Sequence, residues 1–199
     1  MKKTMLLGVL MLSAAVGYGQ ESRQDVSISG TGIFGTTIHG AADVKQSMTG
    51  ALGALLSYRY MLTPRSALEI NYSFAQDQQK YITSFQCCAR IHSRQQEVTA
   101  AYIFGMTFKR YNPFLEAGGG MMIYTPVLDN KTNLLNTKTT KGVGALFGAG
   151  LAYELSPSFD VRVEYRGFVT KTPEFGEPDF DTNRYEVISI PSVGVAYHF

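Results

Sequence analysis

The chain has 199 residues, about the length of one domain, and carries 18 Lys and Arg against 16 Asp and Glu, a net charge of +2. This near balance excludes a basic nucleic-acid-binding face and an acidic tail. Mean hydropathy near zero excludes a bundle of membrane-spanning helices, and abundant aromatic and β-branched residues exclude a disordered chain. Only 17% of residues are charged, and 20 glycines accompany 12 tyrosines and 12 phenylalanines, which indicates an all-β protein.

The N-terminus has the pattern of a secretory signal peptide. Met1 and two lysines form a short positive region, residues 4–16 are apolar, and Gly17-Tyr18-Gly19 offers small residues for cleavage. The apolar run is too short for a membrane-spanning helix, although a retained anchor helix is the alternative. We expect residues 1–19 to be removed and residues 20–199 to form one barrel domain.

Most of the remaining chain alternates between apolar and polar residues. In residues 159–167, Val161, Val163 and Tyr165 alternate with four charged residues, and this period of two is typical of a strand with two different faces. Similar patterns predict eight strands in chain order: 25–37, 47–60, 66–76, 93–108, 112–125, 139–154, 158–169 and 184–199.

The connections between these strands alternate in length. Short turns at one end and long polar loops at the other are typical of an up-and-down transmembrane barrel, whose long loops face outward. The short connections are residues 61–65, 109–111 and 155–157, and the long ones are 38–46, 77–92, 126–138 and 171–183.

The polar faces of the strands decide between a soluble barrel and a membrane barrel. A soluble, lipocalin-like binder would turn them to water, but the chain has no Trp for the Gly-x-Trp start of that family. Small residues on the polar faces suit a cramped interior, and apolar faces of about ten residues suit a bilayer. We expect buried ion pairs among the polar-face charges, because unpaired buried ions are costly. These charges are Arg59, Glu69, Glu97, Glu116, Arg162, Glu164, Arg166 and Glu186.

Three segments resemble the OmpA-like and opacity-type outer-membrane β-barrel proteins. Residues 155–165 resemble the Pro-containing turn and charged strand of that group, and residues 113–120 resemble its Pro-aromatic strand with Ala and Gly. Residues 193–199 are similar to the terminal signal read by the barrel-assembly machinery, which implies that Tyr197 and Phe199 act in assembly. The resemblance implies an eight-stranded antiparallel up-and-down transmembrane β-barrel in the outer membrane. Tyr and Phe would form its aromatic girdle in the absence of Trp.

Few residues suggest chemistry. Cys87 and Cys88 are adjacent in the second long loop, where export permits a disulfide, although neighbouring cysteines close a strained ring. Together with His92 they offer only thin support for a metal site, so we expect no metal and no cofactor. The other histidines, His39 and His198, show no spacing to Ser and carboxylate that indicates a catalytic triad. Barrel enzymes that deacylate or acylate lipid A are therefore a minor alternative.

We expect a small outer-membrane barrel without enzymatic activity that has a structural role or interacts with an extracellular ligand through its long loops. Its expected partners are outer-membrane lipid and, during biogenesis, the barrel-assembly machinery, with no nucleic acid and a monomeric state. The first alternative is a narrow pore or transporter for ions or small apolar solutes, although an eight-stranded barrel leaves little internal room. The second is the soluble binder.

Overall fold

The computed structural model describes residues 23–39, 45–82, 89–127, 138–173, 175 and 184–199. Across these ranges the chain forms antiparallel strands. No helix in the described ranges has the length and apolar character needed to cross a membrane. The strands are β1 (Gln24–Gly35), β2 (Ile38–His39), β3 (Lys45–Met48), β4 (Ala51–Thr63), β5 (Ser66–Ile82), β6 (Ala89–Gly105), β7 (Tyr111–Pro126), β8 (Thr140–Ser156), β9 (Phe159–Lys171) and β10 (Tyr185–His198).

Eight of these strands close into a barrel. Each long strand pairs with its neighbours in the chain, and β1 pairs with β10, so that the first and last strands meet. The pairing of β5 with β6 completes the cylinder. The predicted eight-stranded antiparallel up-and-down barrel is therefore confirmed. The short strands β2 and β3 add a small extension along the loop end of β5.

The longest hairpin corrects the predicted loop boundaries. Residues 77–92 were predicted to form a loop, but β5 continues to Ile82 and β6 already begins at Ala89. Polar residues occupy both faces of residues 76–80, so no alternation marked this segment as a strand. Backbone hydrogen bonding between β5 and β6 continues the ladder regardless of side-chain pattern. The predicted loop 38–46 is corrected in the same way, because it contains β2 and the start of β3.

The short connections lie together at one end of the barrel, which we call the turn end. The opposite end, where the strands lead into the long connections, is the loop end. Thr63 and Ser156 pair with the first residues of the next strands, so two of these connections are tight turns. In the third, Phe108 and Tyr111 exchange backbone hydrogen bonds of 2.8 and 2.9 Å around Lys109, whose φ is 56°. Strand β6 ends at Gly105, so the predicted strand end at residue 108 belongs to this turn.

Glycines on the inward face of β8 make room for large side chains from β7. A Cβ atom at Gly150 would overlap the ring of Phe114, and one at Gly148 would overlap the carboxylate of Glu116. Strands β7 and β8 pair directly at both places, since Phe114 lies opposite Gly150 and Glu116 opposite Gly148. The glycine content of the polar faces thus reflects the limited space inside the barrel.

Candidate functional site in the barrel interior

The barrel is polar inside and apolar outside across its middle. On β9, Arg162 is 3% exposed and faces the interior, whereas its neighbour Val163 is 56% exposed and faces outward. The same alternation holds along the other long strands, whose outward positions carry Leu, Ile, Val, Tyr and Phe. A protein that exposes apolar side chains around its whole circumference requires an apolar solvent, which a lipid bilayer provides.

The structure buries all of the charged side chains that were singled out on the polar faces. They come from six of the eight barrel strands and form two ion-pair clusters and one separate site. The residues concerned are Arg59 on β4, Glu69 on β5, Glu97 on β6, Glu116 on β7, Arg162, Glu164 and Arg166 on β9, and Glu186 on β10.

The first cluster lies towards the turn end and is centred on Arg59. Its Nη2 atom lies 2.6 Å from Oε2 of Glu69, the residue opposite it in the β4–β5 ladder. Arg162 pairs with Asp25 at 2.8 Å and approaches the same Glu69 oxygen at 4.0 Å. The guanidinium carbon of Arg59 also lies 4.7 Å above the ring of Phe114. Partners on three other strands, β1, β5 and β7, therefore converge on two arginines.

The second cluster surrounds Arg166, which is fully buried. Its Nη2 atom lies 2.8 Å from Glu97 and donates a 3.0 Å hydrogen bond to the hydroxyl of Thr99. Its Nε atom lies 3.3 Å from Glu164 and 3.4 Å from Glu116. Three carboxylates thus share one guanidinium. Of the three carboxylates, Glu97 has the shortest ion pair with Arg166. It also accepts hydrogen bonds from the hydroxyls of Ser73 at 3.2 Å and Thr99 at 3.4 Å.

Glu186 belongs to neither cluster. Its carboxylate accepts a 3.2 Å hydrogen bond from the hydroxyl of Tyr124, whose ring contacts Phe175 edge-on at 6.3 Å. This end of the interior is mainly apolar, because apolar residues occupy inward positions that were expected to be polar. The packed side chains include Ile33, Ile91, Met122, Leu146, Phe168, Ile188 and Ile190. In residues 121–124 and 145–147 both strand faces are apolar, so alternation could not reveal that Met122 and Leu146 point inward.

Asp25, Asp160 and His198 complete the interior at the turn end. Asp25, fully buried as the partner of Arg162, was not singled out from the sequence, although the polar residues Ser27, Ser29 and Thr31 alternate after it. His198 places Nε2 2.8 Å from Asp160 and Nδ1 3.9 Å from Asp25. Within the part of the chain that the structure describes, these carboxylates are its side-chain partners, and no serine hydroxyl joins them.

The interior side chains leave little space for a ligand or a passage in the described part of the barrel. A cavity of about 140 Å³ opens at the turn end, where Arg59, Arg162, Asp160 and Phe114 line it. Arg59 and Arg162 of the first cluster form part of its lining, and the Arg166 cluster and the apolar packing lie beyond it towards the other end of the barrel. Among the described residues, no group of three or more His, Cys, Asp or Glu side chains could hold a metal ion. Cys87 and Cys88 lie outside the described residues.

The two residues expected to act in assembly lie at the turn end. The Tyr197 ring packs at 5.1 Å from Phe159 and at 6.1 Å from Phe199. The Phe199 amide donates a 3.0 Å hydrogen bond to the carbonyl of Gln24, which joins the chain end to the first strand. Tyr111 and Tyr153 form a further ring contact at 5.1 Å on the same end of the barrel. These rings supply one interfacial belt of Tyr and Phe without Trp.

Several solved structures share this architecture. Outer membrane protein OprG from Pseudomonas aeruginosa aligns with a TM-score of 0.63 at 12% identity and covers 91% of this chain and 98% of its own. Neisserial surface protein A aligns with a TM-score of 0.60 at 14% identity, covering 89% and 98%. Ail, the attachment invasion locus protein of Yersinia pestis, aligns with a TM-score of 0.53 at 17% identity, covering 90% and 100%. At these identities the likeness establishes the fold.

The sequence comparison agrees with the structural one and extends over nearly the whole chain. The profile of the family described as outer membrane protein beta-barrel domain matches residues 4–199. No curated protein matches the chain. The resemblance to the small OmpA-like and opacity-type barrels is thereby confirmed. The chain belongs to the outer membrane protein beta-barrel domain family and is a small β-barrel of the outer membrane.

Proposed function

We propose that this barrel is a non-conducting, non-enzymatic outer-membrane protein whose role is structural or lies in contacts made by its long loops at the cell surface. The observation that carries the proposal is the filled interior. The Arg59 cluster occupies the interior towards the turn end, the Arg166 cluster and Ile190 lie above it, and buried apolar side chains that include Phe168 continue the packing towards the loop end. A solute moving along the axis would have to break buried ion pairs, each of which is costly to separate.

Loops in general tolerate sequence changes better than the strands that they connect, and they carry binding residues more often. Ail of Yersinia pestis, which shares the fold, has been crystallised with the heparin analogue sucrose octasulfate. That observation supports surface contact as a role for barrels of this size. The alternative of a narrow pore for ions or small apolar solutes requires the interior packing to rearrange.

Conductance across planar lipid bilayers tests the proposal against the pore. We expect the refolded barrel to give no steady single-channel current in salt solution, because the interior is closed at two levels. Phe168→Ala removes a fully buried ring at the loop end, whereas Phe147→Ala removes a ring that is 48% exposed on the outward face. Neither single change opens the charged middle, so both variants should remain closed. Steady channels in the wild-type barrel that are altered by Phe168→Ala but not by Phe147→Ala would replace this proposal with the pore.

We also propose that the exported protein begins at Gln20. The apolar region of residues 4–16 and the small residues before position 20 support cleavage there. N-terminal sequencing of the protein extracted from outer membranes should therefore read from Gln20. A sequence that starts at Met1 would mean that the apolar region is retained as an anchor.

A further inference from the structure

The outward faces of the barrel strands carry charges of one sign. Among the side chains whose exposure the structure describes, the outward-facing charged residues in the long strands are Lys80, Arg94, Lys141 and Lys171. Arg94, for example, is exposed between the buried Ser93 and Gln95. Every described Asp and Glu of the strands occupies the opposite, inward register: Asp25, Glu69, Asp77, Glu97, Glu116, Glu154, Asp160, Glu164 and Glu186.

The outward cations all lie towards the loop end. Arg94 precedes the turn end of β6 at Gly105 by 11 residues, and Lys141 precedes that of β8 at Ser156 by 15 residues. With a rise of about 3.4 Å per residue and a tilt of about 40°, these positions are roughly 29 and 39 Å above the last residues of their own strands. The apolar belt of such barrels is about 25 Å tall. Both positions therefore lie beyond the apolar belt, on the side where the lipid headgroups meet the loop end of the barrel.

The cations are also grouped around one part of the wall. Arg94 pairs across the ladder with Thr125 of β7, and Lys141 pairs with Ile123 of the same strand, so the two cations flank β7. Strands are about 4.8 Å apart, which places these two backbone positions about 10 Å apart across the sheet, with an offset of two residues along it. Lys80 lies on β5, the next strand beyond Arg94. We call Lys80, Arg94 and Lys141 the basic band.

The surroundings of Arg94 orient its charge without neutralising it. Its guanidinium carbon lies 5.8 Å from the centre of the Phe74 ring, on the outward face of β5. A cation–π contact of this kind holds the side chain against the wall and leaves its charge available to a second group. The described outward positions of the long strands hold no carboxylate beside it, so the barrel wall offers this cation no acidic partner among the described strand residues.

We propose that the basic band binds the phosphate groups of lipid headgroups in the loop-side leaflet of the membrane. Phosphate oxygens accept charge-assisted hydrogen bonds from Arg and Lys, and a guanidinium can bind two of these oxygens at once. At headgroup level each cation near an anionic surface favours binding by roughly fivefold. The band would thereby collect phosphate-rich lipids beside β5 to β8 and fix the depth of the barrel in the membrane.

Electron paramagnetic resonance with spin-labelled lipids measures this preference directly. The refolded barrel in phosphatidylcholine vesicles should bind spin-labelled phosphatidic acid roughly fivefold or more above spin-labelled phosphatidylcholine. The triple variant Lys80→Gln, Arg94→Gln, Lys141→Gln should reduce that ratio towards one. A matched triple variant, Arg65→Gln, Lys109→Gln, Arg110→Gln, removes the same charge from the exposed turns and should keep most of the ratio. Heat-modified gel migration checks that each variant is folded.

Two further arms complete the test. Exchanging Lys80 and Lys141 for Arg and Arg94 for Lys conserves the charge and should retain the preference. Inorganic phosphate at the concentration of the labelled lipid should leave the ratio unchanged if the basic band binds lipid at the membrane surface. Displacement of the labelled lipid by inorganic phosphate would show instead that the band binds free anions. A wild-type ratio near one, or equal losses in both glutamine variants, would overturn the proposal.

Discussion

Replacing Arg166 with Met is expected to lower the free energy of unfolding by about 3–5 kcal/mol, because the change leaves buried carboxylates without their shared cation. Glu97, Glu116 and Glu164 all lie within 3.4 Å of this guanidinium. Removing one partner of a buried ion pair costs more than removing both, since the remaining charge cannot be hydrated. Urea titration of the barrel in lipid vesicles measures the effect.

The three carboxylates provide the controls for this prediction. Glu97→Gln should cost more than Glu116→Gln, because Glu97 has the shorter ion pair and accepts hydrogen bonds from two hydroxyls. Glu116→Gln relieves repulsion among carboxylates around a single cation and should be close to neutral. Adding Glu97→Gln and Glu116→Gln to Arg166→Met should recover part of the loss. If Arg166→Met alone leaves stability unchanged, the interior is hydrated enough to replace the ion pairs.

Replacing Val163 with Arg is expected to destabilise the barrel in bilayers by about 2–4 kcal/mol, because a cation is costly on the lipid-facing surface at the bilayer midplane. Val163 is 56% exposed, and it lies in the middle of β9 between the inward-facing Arg162 and Glu164. The measurement is the free energy of unfolding in vesicles whose lipid composition is held constant.

Val143→Arg makes the same substitution near the loop end and serves as the matched control. Val143 is 78% exposed, two residues from Lys141 on the same face of β8. An Arg close to the interface costs about 0–1 kcal/mol, so this variant should stay near wild-type stability. Equal effects of the two substitutions would contradict the position assigned to the membrane. Stability unchanged in both would mean that the outward face does not contact lipid.

The sequence by itself determined the class of fold and the orientation of most strands. Alternation in residues 159–167 separated Val163 from Arg162, and the sorting of connections by length indicated an up-and-down barrel. These signals are local, because each strand must present an apolar face to lipid wherever it crosses the membrane. The charged residues of the interior could be predicted for the same reason, because they lie on the face of each strand opposite the apolar one.

Only the tertiary structure determined which charged residues pair with one another and which apolar side chains pack inside the barrel towards its loop end. Ion pairs were expected among the eight polar-face charges, but the shortest ion pair of Arg162 is with Asp25 at 2.8 Å, which is not one of them, while Glu116 contacts Arg166. Such contacts depend on the tilt and stagger of strands around a closed cylinder, which the spacing along one strand does not encode. Met122 and Leu146 were hidden for a different reason, because an inward apolar side chain beside outward apolar ones produces no alternation. The sequence thus specified which faces meet lipid, and closure of the barrel specified what meets inside.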